Sequence, residues 1–141
     1  MKTNQTHIAG TARTWHQSVR AVATANSAAS GLLTVDGVVL ADGDRCLLTA
    51  QTAGADNGVH IVHSGAWERS PDMQSGMEIE PTAHVPISEG TLNADSTYQL
   101  TTDGTIVIGT TSMTFAKVAG GGGGTSITDD QIALKAQFFG D

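Results

Sequence analysis

Apolar residues recur at every second position through the middle of the chain, and turn sequences interrupt them at intervals of about eight to twelve residues. A period of two puts alternate side chains on opposite faces, the pattern of β-strands rather than helices. The clearest instance is 32–35, then Asp36-Gly37, then 38–40. Asp-Gly between two apolar runs selects a type I′ hairpin, which needs positive φ at both central residues.

Ala41-Asp42-Gly43-Asp44 predicts a second turn, leading into a strand at 45–48. Asp56-Asn57-Gly58 predicts a third turn, feeding 59–63, with Val59, Ile61 and His63 on one face and His60 and Val62 on the other. Ser64-Gly65 closes a hairpin into 66–69, and 71–76 is irregular. Further strands are predicted at 19–23, 82–87 and 97–100, with 106–108 and 113–118 as a last pair. Pro86 cannot donate to a ladder, so its strand belongs at an edge or a bulge. The fold class is all-β, a small antiparallel sandwich or partly open barrel.

The chain divides into a polar N-terminal arm at 1–14, a β-domain at 15–119, a hinge of five consecutive glycines at 120–124 and a distinct segment at 125–141. In that last segment Thr128-Asp129-Asp130-Gln131 forms a capping box, with both aspartates where the helix dipole favours anions. Ile132, Ala136 and Phe139 then fall on one helical stripe. So short a helix is marginal in water unless it packs. Burying Ile132, Leu134, Phe138 and Phe139 would return roughly 6–10 kcal/mol before ordering costs. Ile132, Leu134, Ala136, Phe138 and Phe139 are therefore the expected contact residues of a C-terminal docking helix.

Composition excludes several functions. Hydrophobic residues are 39% but aromatics only 4%, so the core is aliphatic. Charged residues are 15%, below the usual ~25%. Net charge is −7, and the seven Lys and Arg are scattered. Nucleic-acid binding needs clustered cations, one per neutralised phosphate, and is excluded. No apolar run approaches the roughly 20 residues of a membrane span, and Thr-Asn-Gln-Thr-His after Lys2 is no signal peptide. A product of the cytoplasm is expected that stays soluble or leaves inside an assembled particle. Cys46 is the only cysteine, expected as a small buried hydrophobe without an intrachain disulfide.

No catalytic constellation assembles from the sequence. Gly-x-Ser-x-Gly is absent. His60 and His63 are three apart in a strand and face opposite ways, so they do not chelate one metal, and all five histidines are expected at the surface or half-buried. Asp36, Asp42, Asp44 and Asp56 lack the Ca²⁺-loop pattern and suit turns. The glycine run lacks the lysine of a phosphate loop. No cofactor or metal is expected. Trp15 and Trp67 are expected as core or interface anchors, and Asp36, Gly37, Asp42, Gly43, Asn57 and Gly58 as structural turn residues.

The central block resembles a β-domain that recurs in tail-fibre, baseplate and other structural proteins of tailed phages and prophages. Trp15-His16-Gln17-Ser18-Val19-Arg20-Ala21-Val22-Ala23-Thr24 is similar to that domain's opening, and Leu40-Ala41-Asp42-Gly43-Asp44-Arg45-Cys46-Leu47-Leu48 to its Gly-Asp-Arg strand. Ala55-Asp56-Asn57-Gly58-Val59-His60-Ile61-Val62, Gly65-Ala66-Trp67-Glu68-Arg69-Ser70-Pro71-Asp72, Glu89-Gly90-Thr91-Leu92-Asn93-Ala94-Asp95 and Ile108-Gly109-Thr110-Thr111 continue the resemblance in order. It implies a non-enzymatic virion component (a short fibre, collar, baseplate part or capsid decoration protein). Its implied partners are itself, as a homotrimer, and other virion proteins. A host-glycan-binding adhesin is the alternative, and a small hydrolase would need an acid–base pair that the sequence does not supply.

Overall fold

The structure, a computed structural model, describes residues 14–118. The predicted arm up to residue 13, the glycine hinge and the docking helix with Ile132, Leu134, Ala136, Phe138 and Phe139 lie outside the described residues.

The described residues form an all-β domain of eleven short strands: β1 (Ala21–Ala23), β2 (Thr34–Val35), β3 (Val38–Val39), β4 (Arg45–Leu48), β5 (Gly58–Ile61), β6 (Glu68–Arg69), β7 (Glu78–Ile79), β8 (His84–Ile87), β9 (Ser96–Leu100), β10 (Ile106–Val107) and β11 (Phe115–Lys117). They pair into a four-stranded sheet in the order β1-β4-β5-β6, a three-stranded sheet β11-β9-β8, and the two-stranded sheets β10-β7 and β2-β3. None closes into a barrel. All pairings are antiparallel except β1 with β4, where Ala21, Val22 and Ala23 run parallel to Cys46, Leu47 and Leu48. An antiparallel domain was expected, and this pair departs from it. Parallel neighbours need a crossover of about a dozen residues or more, and residues 24–44, which carry the β2-β3 hairpin, supply it.

In the four-stranded sheet β1, β4 and β5 are buried on both faces, whereas the edge strand β6 is open. Val22, Leu47 and Val59 enter a core shared with Ile87, Leu100, Ile106 and Phe115 from the other strands. Ala21, Ala23, Cys46, Leu48 and Val62 enter a second core with Val35, Val38, Leu40 and Trp67. The alternation in Ala21-Val22-Ala23 and Cys46-Leu47-Leu48 thus separates two cores rather than core from solvent, which is why β4 reads as a continuous apolar run.

Asp36 and Gly37 both have positive φ, 49° and 79°, as the I′ turn requires. A side chain at Gly37 would run into Thr91. The third turn is different. A short 3₁₀ helix over Gly54–Asp56 reverses the chain, and Gly58 opens β5 with φ 128°. Asn57 is not an exposed turn residue. It is buried, with Oδ1 accepting from the Gln51 amide and Nδ2 donating to the Met113 carbonyl, both at 2.8 Å. Nor do the last two strands pair with each other: β10 pairs with β7, and β11 with β9. β7 lies just past the stretch expected to be irregular, and two residues are too few for any period to show.

Pro86 lies on β8, an edge of its sheet. Beyond that edge residues 14–19 run alongside with isolated parallel bridges, Trp15 to His84 and Val19 to Ile87. Those bridges differ in offset by one residue, so the strip bulges opposite Pro86, where no N–H is available.

Candidate assembly surface

Two features stand out once the strands are in place: a polar latch under residues 14–20, and an open cleft with an apolar rim.

The latch centres on Asp72. His16 Nδ1 is 2.8 Å from its Oδ2, and Arg45 reaches both oxygens, Nη1 at 2.9 Å and Nη2 at 3.1 Å. Ser70 Oγ donates to Oδ1 at 2.6 Å. Arg45 also donates to the carbonyls of Ser18 and Gln17 at 3.1 and 2.9 Å. One arginine on β4 thereby fixes the N-terminal strip onto the sheet. Burial alone would raise the Asp72 pKa; hydrogen bonds from His16, Arg45 and Ser70 outweigh it and hold the carboxyl well below the usual carboxylate range. His16 is buried, not at the surface or half-buried as expected of it. Its Nε2 has no protein partner among the described residues. His60 is buried too. Burial chiefly lowers its pKa, against a bond at 3.1 Å to the Gly58 carbonyl.

His63 lies apart from His60. Its Nδ1 and Nε2 are each 3.0 Å from a carboxylate, of Asp42 and Glu68 respectively. Glu68 first and Asp42 second raise its pKa. Among the described residues no group of three His, Cys, Asp or Glu is placed to hold a metal ion. Asp44 does turn work: Oδ2 accepts from the Ala41 amide at 2.8 Å and from Arg20 Nη1 at 2.7 Å. Asp36 does the same across the domain, accepting from the Leu92 and Asn93 amides at 3.0 Å. Cys46 is fully buried, and burial pushes its thiol up to about 12.

The cleft, of about 570 Å³, is walled by residues 22–28 at the end of β1, 33–36 on the β2-β3 hairpin, and Leu92 and Asn93. That volume falls within the roughly 300–1,000 Å³ of ordinary ligand clefts. Its walls mix apolar side chains with Thr24, Asn26, Thr34 and the Asp36 carboxylate. At its rim Leu92 is 77% exposed, and Val39, next to the cleft as the cross-strand partner of Thr34, is 68% exposed. The Asp36 bonds tie the hairpin to the 91–93 loop. The described chain also ends beside this rim. Lys117 Nζ donates to the Leu92 carbonyl at 3.3 Å, and the Val118 amide to Thr97 at 2.8 Å.

The two tryptophans part company. Trp67 is buried, its Nε1 donating to the Gly31 carbonyl at 2.8 Å. Trp15 is 57% exposed and stacked on His84, centroids 4.5 Å apart at 22°. It is no core anchor.

Neither the latch nor the cleft was visible in the sequence. Charge scarcity was the available signal for the latch: with so few cations, an arginine between Asp44 and Cys46 in an apolar strand has to find a buried partner. No family model matches the chain, and no curated protein or solved structure matches it either. Among the described residues no helix is long and apolar enough to cross a membrane.

Proposed function

We propose that this chain is a structural subunit of a tailed-phage particle and acts by protein–protein contact, without transforming any molecule. The observation that carries this reading is the cleft whose exposed wall residue Leu92, with Val39 on the strand next to Thr34, adjoins the point where the described chain leaves toward its apolar C-terminal residues. Large exposed apolar side chains grouped at a concave site mark contact surfaces. The phage context comes from the ordered resemblance. Three of its segments supply His16, Arg45 and Asp72 to one latch, so the resembling residues are ones on which this fold depends. Self-association as a trimer is part of the same proposal, carried from the resemblance alone.

The test is a chain ended at Gly120. It is expected to keep the circular dichroism of the β-domain and to be missing from purified particles. Incorporation at the normal level would refute a docking role for the C-terminal residues.

Trp15 favours a second reading. One face of its ring rests on His84 while more than half of the residue is exposed, and an open indole face can stack on a sugar ring. Under that reading the isolated protein binds a glycan array and Trp15→Ala abolishes the binding. No binding on the array leaves assembly alone.

A further inference from the structure

We infer that the cleft between the β2-β3 hairpin and the 91–93 loop receives a lysine side chain from a partner polypeptide, its ammonium on Asp36 and its aliphatic stem along the apolar walls. This rests on the proposed role of the cleft as a contact surface and adds the chemistry of what is contacted.

Three observations lead there. The first is charge. Asp36 is the one charged residue among those that line the cleft. None of the ion pairs among the described residues includes it. Its oxygens meet neutral donors there, Oδ1 the Leu92 amide and Oδ2 the Asn93 amide, each at 3.0 Å. A carboxylate in a cleft without cations draws a cation and repels an anion, and the chain's net charge of −7 acts in the same sense.

The second is the setting of that carboxylate. A Cβ at Gly90 would strike its Oδ2, so glycine there lets the loop close on it. A guanidinium binds best as a planar fork across both oxygens of one carboxylate. Here each oxygen already accepts a backbone amide, so no fork-shaped face is left. About four lone-pair sites serve a carboxylate, so single acceptor positions remain. An ammonium is a compact charge with three rotatable donors and needs only one of them. Thr24 and Thr34 line the same cleft and offer hydroxyl oxygens to its other N–H groups.

The third is the wall. Leu33 and Val35 present apolar surface on the hairpin side, and Leu92, largely exposed, on the other. A lysine stem lies along such surface while its head stays with the charge. Leu92 and the neighbouring Val39 are exposed well beyond what a stem covers. A polypeptide carrying the lysine covers them; a small free amine does not.

Titration of the isotope-labelled full chain with the tripeptide acetyl-Ala-Lys-Ala-amide, followed by amide resonances, tests this. Saturable shifts are expected at Asp36, Leu92 and Asn93. Half-saturation is expected at a concentration at least about threefold lower than for the norleucine counterpart, which keeps a stem and lacks the charge. The arginine counterpart and free butylamine are each expected to bind at least about threefold more weakly than the lysine peptide. Asp36→Asn is expected to remove the preference for lysine over norleucine, and Leu92→Ser to weaken both peptides alike. Equal affinity of the wild type for the lysine and norleucine peptides overturns the inference, whether or not Asp36→Asn folds. So does the absence of saturable shifts in the cleft, or butylamine binding as tightly as the peptide, which makes the cleft a small-amine site. Self-association at rising concentration that Lys117→Met abolishes also overturns it, assigning the cleft to a second copy. The titration uses purified chain, so a chain that enters particles normally yet shows no lysine preference sinks this inference and leaves the assembly reading standing.

Discussion

Asp72→Ala is expected to lower the thermal midpoint by roughly 10 °C at neutral pH, equivalent to a loss of about 2–4 kcal/mol. The carboxylate is the common acceptor of His16, Arg45 and Ser70, and removing it leaves a guanidinium whose side chain is 13% exposed with backbone carbonyls but no counter-charge among these partners. The figure is set at the lower end because Asp72 itself keeps some solvent contact. The dependence on pH has a definite sign. The folded pKa of Asp72 is depressed, so its stabilisation is fully present above the unfolded value near ~3.9 and is lost as pH falls through the folded value. The gap between wild type and variant therefore narrows from about pH 4 downward. Unfolding curves across that range check this; a gap that widens toward acid would contradict it.

Asn57→Ala is expected to cost about 3 kcal/mol. Its amide joins the Gln51 N–H to the Met113 carbonyl, tying the β4-β5 connection to the approach of β11. Alanine leaves both backbone groups unpaired in a buried place, each worth roughly 1–3 kcal/mol. Urea unfolding should show a lower midpoint with the slope unchanged. A loss under about 0.5 kcal/mol would mean that water reaches the two groups and that the asparagine is an ordinary turn residue after all.

These residues also show what a sequence can and cannot display. β4 spans Arg45–Leu48 as its apolar run predicts, because a run bounded by a turn is a local signal. The Asp36-Gly37 hairpin and the edge position of Pro86 were legible for the same reason: φ preference and a missing N–H belong to single residues. Pairing is not local. Nothing in residues 21–23 announces a parallel partner at 46–48, and two-residue strands such as β7 have no period to detect. The Asp72 latch joins residues 56 and 27 positions apart, so its members look like isolated polar residues until folding brings them together. Asn57 misled in a specific way. Asn-Gly favours turns through its own backbone, yet here a 3₁₀ helix makes the reversal and the side chain is used for long-range bonding. Of the two places expected for Trp15, core or interface, its exposure removes the core, because the 14–19 strip lies outside the β8 edge.

The central claim, contact without chemistry inside a particle, is tested most directly by gradient-purifying the particles made by the genome that encodes this chain and quantifying the chain in them. The account predicts that the full-length chain co-sediments with intact particles at a fixed ratio to their other proteins. Finding it only in the soluble fraction, as a lone monomer that turns over a substrate, would contradict the account.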